Sequence, residues 1–171
     1  MEKPKRKNIR LPGYDYSGAG GYFVTICTHQ HRCALSRIRQ GSQFERNSVL
    51  LTDIGKSVEA VLQQMAIYYT VSVDAYVIMP NHIHMILLVR EEMTEKNITV
   101  GRFVGAFKSL VTKYWREECN RQGTTKGKLW QRNYYEHILR NEADYLEKYK
   151  YIAENPDKWT TDDLHIAEEY H

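Results

Sequence analysis

Two histidines one residue apart, His82 and His84, interrupt an otherwise apolar, β-branched run from Tyr76 to Val89. Successive side chains of a strand alternate faces, so both imidazoles project from one side while Ile83, Met85 and Leu87 turn toward a core. Side by side on a rigid strand, two imidazoles could chelate a divalent cation. They could equally be polar residues on the outer face of a half-buried strand, because spacing is the whole content of the motif. Further along, Asn141 to Pro156 reads as a helix, with Asn141 as N-cap, acids in the first turn and Pro156 as terminator. Leu146, Tyr149, Ile152 and Ala153 are its expected apolar stripe. Tyr151 lies off that stripe, one turn before Asn155 and on a face shared with Lys148. A phenol there, beside an amide oxygen and an ammonium, could serve as a nucleophile, although most of the chain's 13 tyrosines must be structural.

The elements that must position these groups can be read from periodicity. Tyr22 to Thr28 is a strand, followed by a loop and a strand pair around 36–52. Asp53 to about Ala66 is an amphipathic helix with Ile54, Val58, Val61, Leu62 and Met65 on one face. Val71 to Val89 is strand material broken at Pro80-Asn81, where a bulge or bend is expected just before the histidines. Thr99 to about Cys119 is a second helix, with Val100, Phe103, Val104, Phe107, Leu110, Val111 and Tyr114 inward. Leu129 to Leu139 is a further strand or extended segment. This order predicts an α+β fold of ferredoxin-like (RRM-like) type, an antiparallel sheet with two helices on one face. The third helix, carrying Tyr151, would then lie across the opposite face, where His82 and His84 point. The expected organisation is a basic arm over 1–20, one domain over 21–156 and an acidic tail over 157–171.

Composition bounds the function. The chain has 171 residues, 42% hydrophobic and 26% charged, as expected of one ordinary globular domain. No run approaches the ~18 apolar residues of a membrane helix, and three cysteines, an odd count, suggest a reducing cytoplasm. Cys27, His29, His31 and Cys33 would share a face if the first strand continued, but ligands two apart in an extended chain rarely close a tetrahedral zinc shell. Net charge is +3, unevenly spread: residues 1–10 hold five basic residues against one acid, and 102–132 hold eight against two. Either segment alone reads as a solvated helix face or a disordered basic start; together, segregated positive charge interleaved with aromatics leans toward a polyanion, and hence nucleic acid.

Several ordered motifs together resemble the single-tyrosine HUH transposases, in the branch of REP-associated tyrosine transposases. They are Ile9-Arg10-Leu11-Pro12 with Tyr14-Asp15-Tyr16, Tyr22-Phe23-Val24-Thr25, Tyr76 to His84, Phe107-Lys108-Ser109, Trp130 to Ile138, and Tyr151-Ile152-Ala153-Glu154-Asn155-Pro156. The resemblance implies that His82, His84 and Asn155 hold a divalent metal, Mg²⁺ or Mn²⁺, although nitrogen-rich ligation would also accept Zn²⁺. It implies that Tyr151 is the nucleophile of a DNA nicking and joining enzyme that forms a 5′-phosphotyrosine link. The substrate would be single-stranded or hairpin DNA, and the protein a cytoplasmic, nucleoid-associated monomer or homodimer. No catalytic role falls on His29 or His31. Lysines and arginines of 102–132, such as Lys108 and Arg132, together with Arg10 and Lys148, would follow the DNA backbone. Tyr14, Tyr16 and Trp130 could stack on bases, and His137 is a motif residue either structural or DNA-contacting. The competing reading is a non-catalytic nucleic-acid-binding module on the same fold.

Overall fold

The computed structural model describes residues 20–69, 71–89, 99–125 and 127–165. Arg10, Tyr14, Tyr16 and nearly all of the expected basic arm lie outside the described residues. The strands are β1 (Gly20–Cys27), β2 (Ser36–Arg39), β3 (Ser48–Leu51), β4 (Ser72–Ile78), β5 (His82–Val89) and β6 (Tyr135–Leu139). The helices are α1 (Asp53–Tyr69), α2 (Val100–Arg121) and α3 (Glu142–Glu154), with short 3₁₀ turns at His29–His31 and Trp159–Thr161. β4, β5, β1 and β6 form one antiparallel sheet in that spatial order. α1 connects β1 to β4 and α2 connects β5 to β6, which is the split βαβ arrangement of a ferredoxin-like fold. β2 and β3 form a separate two-stranded ribbon.

Strand parity divides the sheet into two unlike faces. Tyr22, Val24 and Ile26 of β1, with Ile83, Met85 and Leu87 of β5, pack against α1 and α2 in the main core. α1 buries Ile54, Val58, Val61, Leu62 and Met65, at the spacing its sequence predicts. Its first turn accepts close approach: a Cβ on Gly55 would fall 2.0 Å from the Leu35 carbonyl oxygen, so only glycine fits there. α2 begins at Thr99, whose side chain accepts the Arg102 N–H, and buries Val100, Phe103, Val104, Phe107, Val111, Trp115 and Cys119. Leu110 and Tyr114 were expected inward but are each 42% exposed. Beyond Phe107 the buried positions advance by fours, which rotates Trp115 and Cys119 into the core in their place.

The opposite face carries a smaller cluster, Val77, Met79, Ile86, Ile152 and Trp159. α3 covers it, capped by Asn141, whose side chain accepts the Asp144 N–H at 2.9 Å. The inward positions of α3 are Tyr145, Lys148 and Ile152, followed by Asn155. Leu146 and Tyr149 of the expected stripe are 54% and 47% exposed, and Ala153 is exposed too. The helix turns its mixed face to the sheet because what it covers is partly a polar site.

Two further expectations are corrected. Pro80-Asn81 is a hairpin turn, closed by the Met79 N–H to the His82 carbonyl at 2.8 Å, so the chain reverses there instead of bending; the strand irregularity lies earlier, between Val73 and Ala75. Residues 157–165 do not form a tail apart from the domain: Trp159 is buried in the second cluster, and the Asn81 side chain donates to the Leu164 carbonyl at 2.7 Å. No helix among the described residues is long and apolar enough to cross a membrane.

Candidate active site and metal centre

β5 presents His82 and His84 on the face beneath α3, and both rings are buried, at 0% and 3% exposure. They are therefore not outer-face polar residues. Each has its Nδ1 engaged: His82 Nδ1 lies 2.8 Å from the Asn81 side-chain oxygen, and His84 Nδ1 lies 2.7 Å from Thr25 Oγ1. Asn81 Oδ1 can only accept, so His82 carries its proton on Nδ1 and its lone pair on Nε2. Thr25 faces His84 because β1 and β5 pair in register at that position. Both Nε2 atoms are buried without a hydrogen-bond partner, and so is Asn155 Oδ1.

Asn155 and Asp162 complete the group. Asn155 Nδ2 donates to Asp162 Oδ2 at 2.9 Å, which fixes the amide orientation and leaves Oδ1 as the free atom. Leu164 N–H holds Asp162 Oδ1 at 2.7 Å. One ligand atom each from His82, His84 and Asp162 lie within 4.8 Å of one another. Three orphaned lone-pair donors beside a carboxylate fit a divalent cation, since leaving such atoms dry and unpaired is costly. Burial pushes His82 down to about 4, against the pull of Asp162, and burial with the neighbouring His82 pushes His84 well below 6.5. Both imidazoles are thus held neutral, the form that ligates metal.

Tyr151 stands at the margin of this group and is 38% exposed. Its ring meets His84 edge-on at a centroid distance of 5.1 Å and Phe23 at 5.9 Å, while Phe23 stacks on His84 at 5.1 Å. Its hydroxyl is 3.5 Å from Asp162 Oδ2. Burial, then the Asp162 charge, raises the phenol above its ordinary 10.0. The hydroxyl opens on a cleft of about 290 Å³ lined by Phe23, Thr25, His84, Tyr135, Lys148 and Asp162, among others. The arrangement places an accessible phenol, a cation-binding cluster and an ammonium around one cleft.

The other sequence candidates fare differently. Lys148 lines the cleft, with its Nζ 6.0 Å over the Phe23 ring and 2.7 Å from Glu147. His137 projects from the β6 edge and bonds both oxygens of Asp144 at 2.9 Å. Arg132 is exposed. Trp130 is 7% exposed and packs at 6.1 Å on Phe107, so it offers no open face to a base. Lys108 is committed inward, donating to the carbonyls of Gln131, Arg132 and Asn133 at 2.6, 3.1 and 3.2 Å. Cys27, His29, His31 and Cys33 do not share a strand face, because the chain leaves β1 after Cys27 for the 3₁₀ turn. Sequence reasoning missed Asp162, hidden in an acidic run, and the orienting roles of Thr25 and Asn81. Only the strand pairing and the turn after β4 could have exposed the last two.

The sequence model of the family described as "Transposase IS200 like" matches residues 43–155. An uncharacterised protein of Haemophilus influenzae is 33% identical over 179 residues, spanning 94% of this chain and 93% of its own. A candidate REP-associated tyrosine transposase of the same organism is 26% identical, spanning 84% of this chain and 74% of its own. Among solved structures, a REP-associated tyrosine transposase bound to a REP hairpin superposes with a TM-score of 0.57 at 21% identity, covering 92% of this chain and 74% of that one. A candidate transposase from Deinococcus radiodurans superposes with a TM-score of 0.53 at 16% identity, covering 98% and 100%.

Proposed function

This chain belongs to the IS200-like transposase family, and from that premise we propose that it is a metal-dependent single-stranded DNA endonuclease and strand transferase with Tyr151 as nucleophile. The observation that carries this reading is the trio of buried, unpartnered donors, His82 Nε2, His84 Nε2 and Asn155 Oδ1, beside an accessible phenol. Pure DNA binding requires none of them. His82, His84 and Asn155 would hold the cation with Asp162 alongside, and Mg²⁺ or Mn²⁺ suits the oxygen donors. When bound, the cation supplies Lewis-acid neutralisation of phosphate charge.

The residues themselves do the rest. Phe23 and His84 hold the Tyr151 ring so that its hydroxyl faces the cleft. Tyr151 Oη attacks phosphorus, the bond to the 3′-oxygen breaks, and a 5′-phosphotyrosine link forms. The phenol proton passes to Asp162 Oδ2, the carboxylate oxygen 3.5 Å away, and the departing 3′-oxygen takes a proton from water. Attack by a second 3′-hydroxyl reverses the step and joins a different strand. Lys148 faces the same cleft, where its charge would hold a phosphate. A groove of about 880 Å³ along α2 and the loop after it, lined by Lys113, Arg116, Lys128 and Arg132, would hold the DNA backbone outside the cleft. One structural relative is bound to a REP hairpin; for this chain we take a hairpin with a single-stranded flank as substrate, met on cytoplasmic chromosomal DNA of a prokaryote.

The test is a covalent protein–DNA band on a denaturing gel, using end-labelled hairpin oligonucleotides drawn from DNA flanking the gene. The band should require Mg²⁺ or Mn²⁺ and should vanish in Tyr151→Phe and His82→Ala. A band that survives Tyr151→Phe moves the nucleophile elsewhere. Tight binding with no band under any metal would establish the non-catalytic module instead.

A further inference from the structure

The β2–β3 ribbon has no part in the site described above, yet it displays the most exposed large hydrophobic side chain of the described residues, Phe44 at 92%. Its loop is tightly folded: Gly41 N–H donates to Asn47 Oδ1 at 2.9 Å and Glu45 N–H to the Ser42 carbonyl at 3.1 Å. A Cβ on Gly41 would fall 2.0 Å from the Glu45 carbonyl oxygen, so the backbone closes on itself there. The ring is thus held out by an ordered turn. The inner side of the ribbon, Ile38 and Val49, packs on the second apolar cluster under α3. The outer side carries exposed Arg37 and Arg39, while Arg46 at the tip, its side chain 75% exposed, is paired with Asp157 at 4.0 Å.

The tip is also fastened to the chain that follows α3. Asn47 N–H donates to Asp157 Oδ1 at 2.8 Å, and Asn47 Nδ2 donates to the Pro156 carbonyl at 3.1 Å. These residues directly follow Asn155, whose Oδ1 is one of the unpartnered atoms of the candidate metal centre. Three residues of chain span at most about 11 Å, so Phe44 stands within that distance of Asn47. We propose that this ribbon is a DNA-contacting wing, in which Phe44 stacks on an unpaired base of the strand at the active site while Arg37 and Arg39 meet its phosphates. A phenyl ring offers a platform that any base can stack on, and flanking arginines suit a polyanion better than an apolar protein surface. The inference rests on the proposed DNA chemistry and adds to it a contact outside the catalytic group.

The probe is a fluorescein-labelled DNA hairpin with a single-stranded flank, with a blunt hairpin as control, titrated by anisotropy in EDTA so that no strand is cut. Phe44→Ala should weaken binding to the flanked hairpin roughly 5- to 150-fold, the range for one base stacked on an aromatic ring, and leave the blunt hairpin unaffected. Phe44→Trp should retain affinity, with its added indole fluorescence quenched on binding. The Arg37→Ala, Arg39→Ala pair should lower the salt-dependence slope by about 1.4, at ~0.7 per single-strand phosphate contact. Equal affinity of Phe44→Ala and wild type, or an equal loss on both hairpins, overturns the wing and leaves the catalytic reading intact if wild type still forms the covalent band. Wild-type protein that neither binds flanked hairpins nor forms the band overturns both.

Discussion

Thr25 does for His84 what Asn81 does for His82: each occupies Nδ1 and leaves Nε2 free. The Asn81 oxygen, which only accepts, fixes the His82 tautomer, while the Thr25 hydroxyl, which can donate or accept, orients the His84 ring. Thr25→Val keeps the strand propensity and nearly the shape, but strips His84 of its partner. The fold should persist while affinity for Mn²⁺, read from the cation-induced rise in melting temperature, falls roughly 10–100-fold. Unchanged affinity would mean that packing against Phe23 alone orients the ring. At this scale the sequence was informative where chemistry follows local geometry. Strand parity put His82 and His84 on one face, and helical spacing set Tyr151 one turn from Asn155. Asp162 was illegible, because nothing local separates it from Asp163; its role arises when the chain after α3 folds back and the Asn155 amide donates to it.

Among the elements, the segment between α2 and β6 is fastened by one side chain. The Lys108 ammonium gathers three successive carbonyls of residues 131–133, just ahead of Tyr135 in the cleft wall. Its basic surroundings predicted a phosphate contact, but partial burial lowers its pKa and its donors are already engaged. Lys108→Met should therefore cost stability, about 1.5–3 kcal/mol if charge-assisted bonds are lost, and leave the salt slope of DNA binding unchanged. Lys128→Met, on the open groove, should do the reverse: no stability loss and a slope lower by about 0.7–0.9. A lower slope for Lys108→Met in urea-independent DNA titrations would restore it to the DNA surface. The element boundaries themselves were largely legible, since α1 and α2 repeat their apolar residues at helical spacing. The facing of α3 was not, because a stripe is found by seeking apolar residues, and this helix turns Lys148 and Asn155 inward over a polar site.

For the whole molecule, the consequence of a two-faced sheet is acid sensitivity. One face is sealed by α1 and α2; the other seals two imidazoles under α3 and residues 159–165, with the Trp159 ring 6.0 Å from His82. In the metal-free protein burial holds His82 near 4 and His84 well below its ordinary 6.5, whereas the unfolded chain titrates both near ~6.5. Across that window the unfolded state binds protons that the folded state refuses, so stability falls as pH falls from about 6.5 toward 4. His82 and His84 both contribute to this loss, in the same direction, because burial disfavours the charged form of each ring. On the alkaline side Cys27 is raised by burial to about 11, so its contribution is complete below about 9 and is lost as pH rises through 11. Urea denaturation in EDTA should give a plateau between about pH 7 and 9 and a steep acid limb. Replacing both histidines by glutamine removes the titrating groups and should flatten the acid limb, whatever it does to stability at neutral pH. A wild-type acid limb as shallow as that of the double variant would show that the rings take up protons within the fold, and that the covered face opens to water before the molecule unfolds.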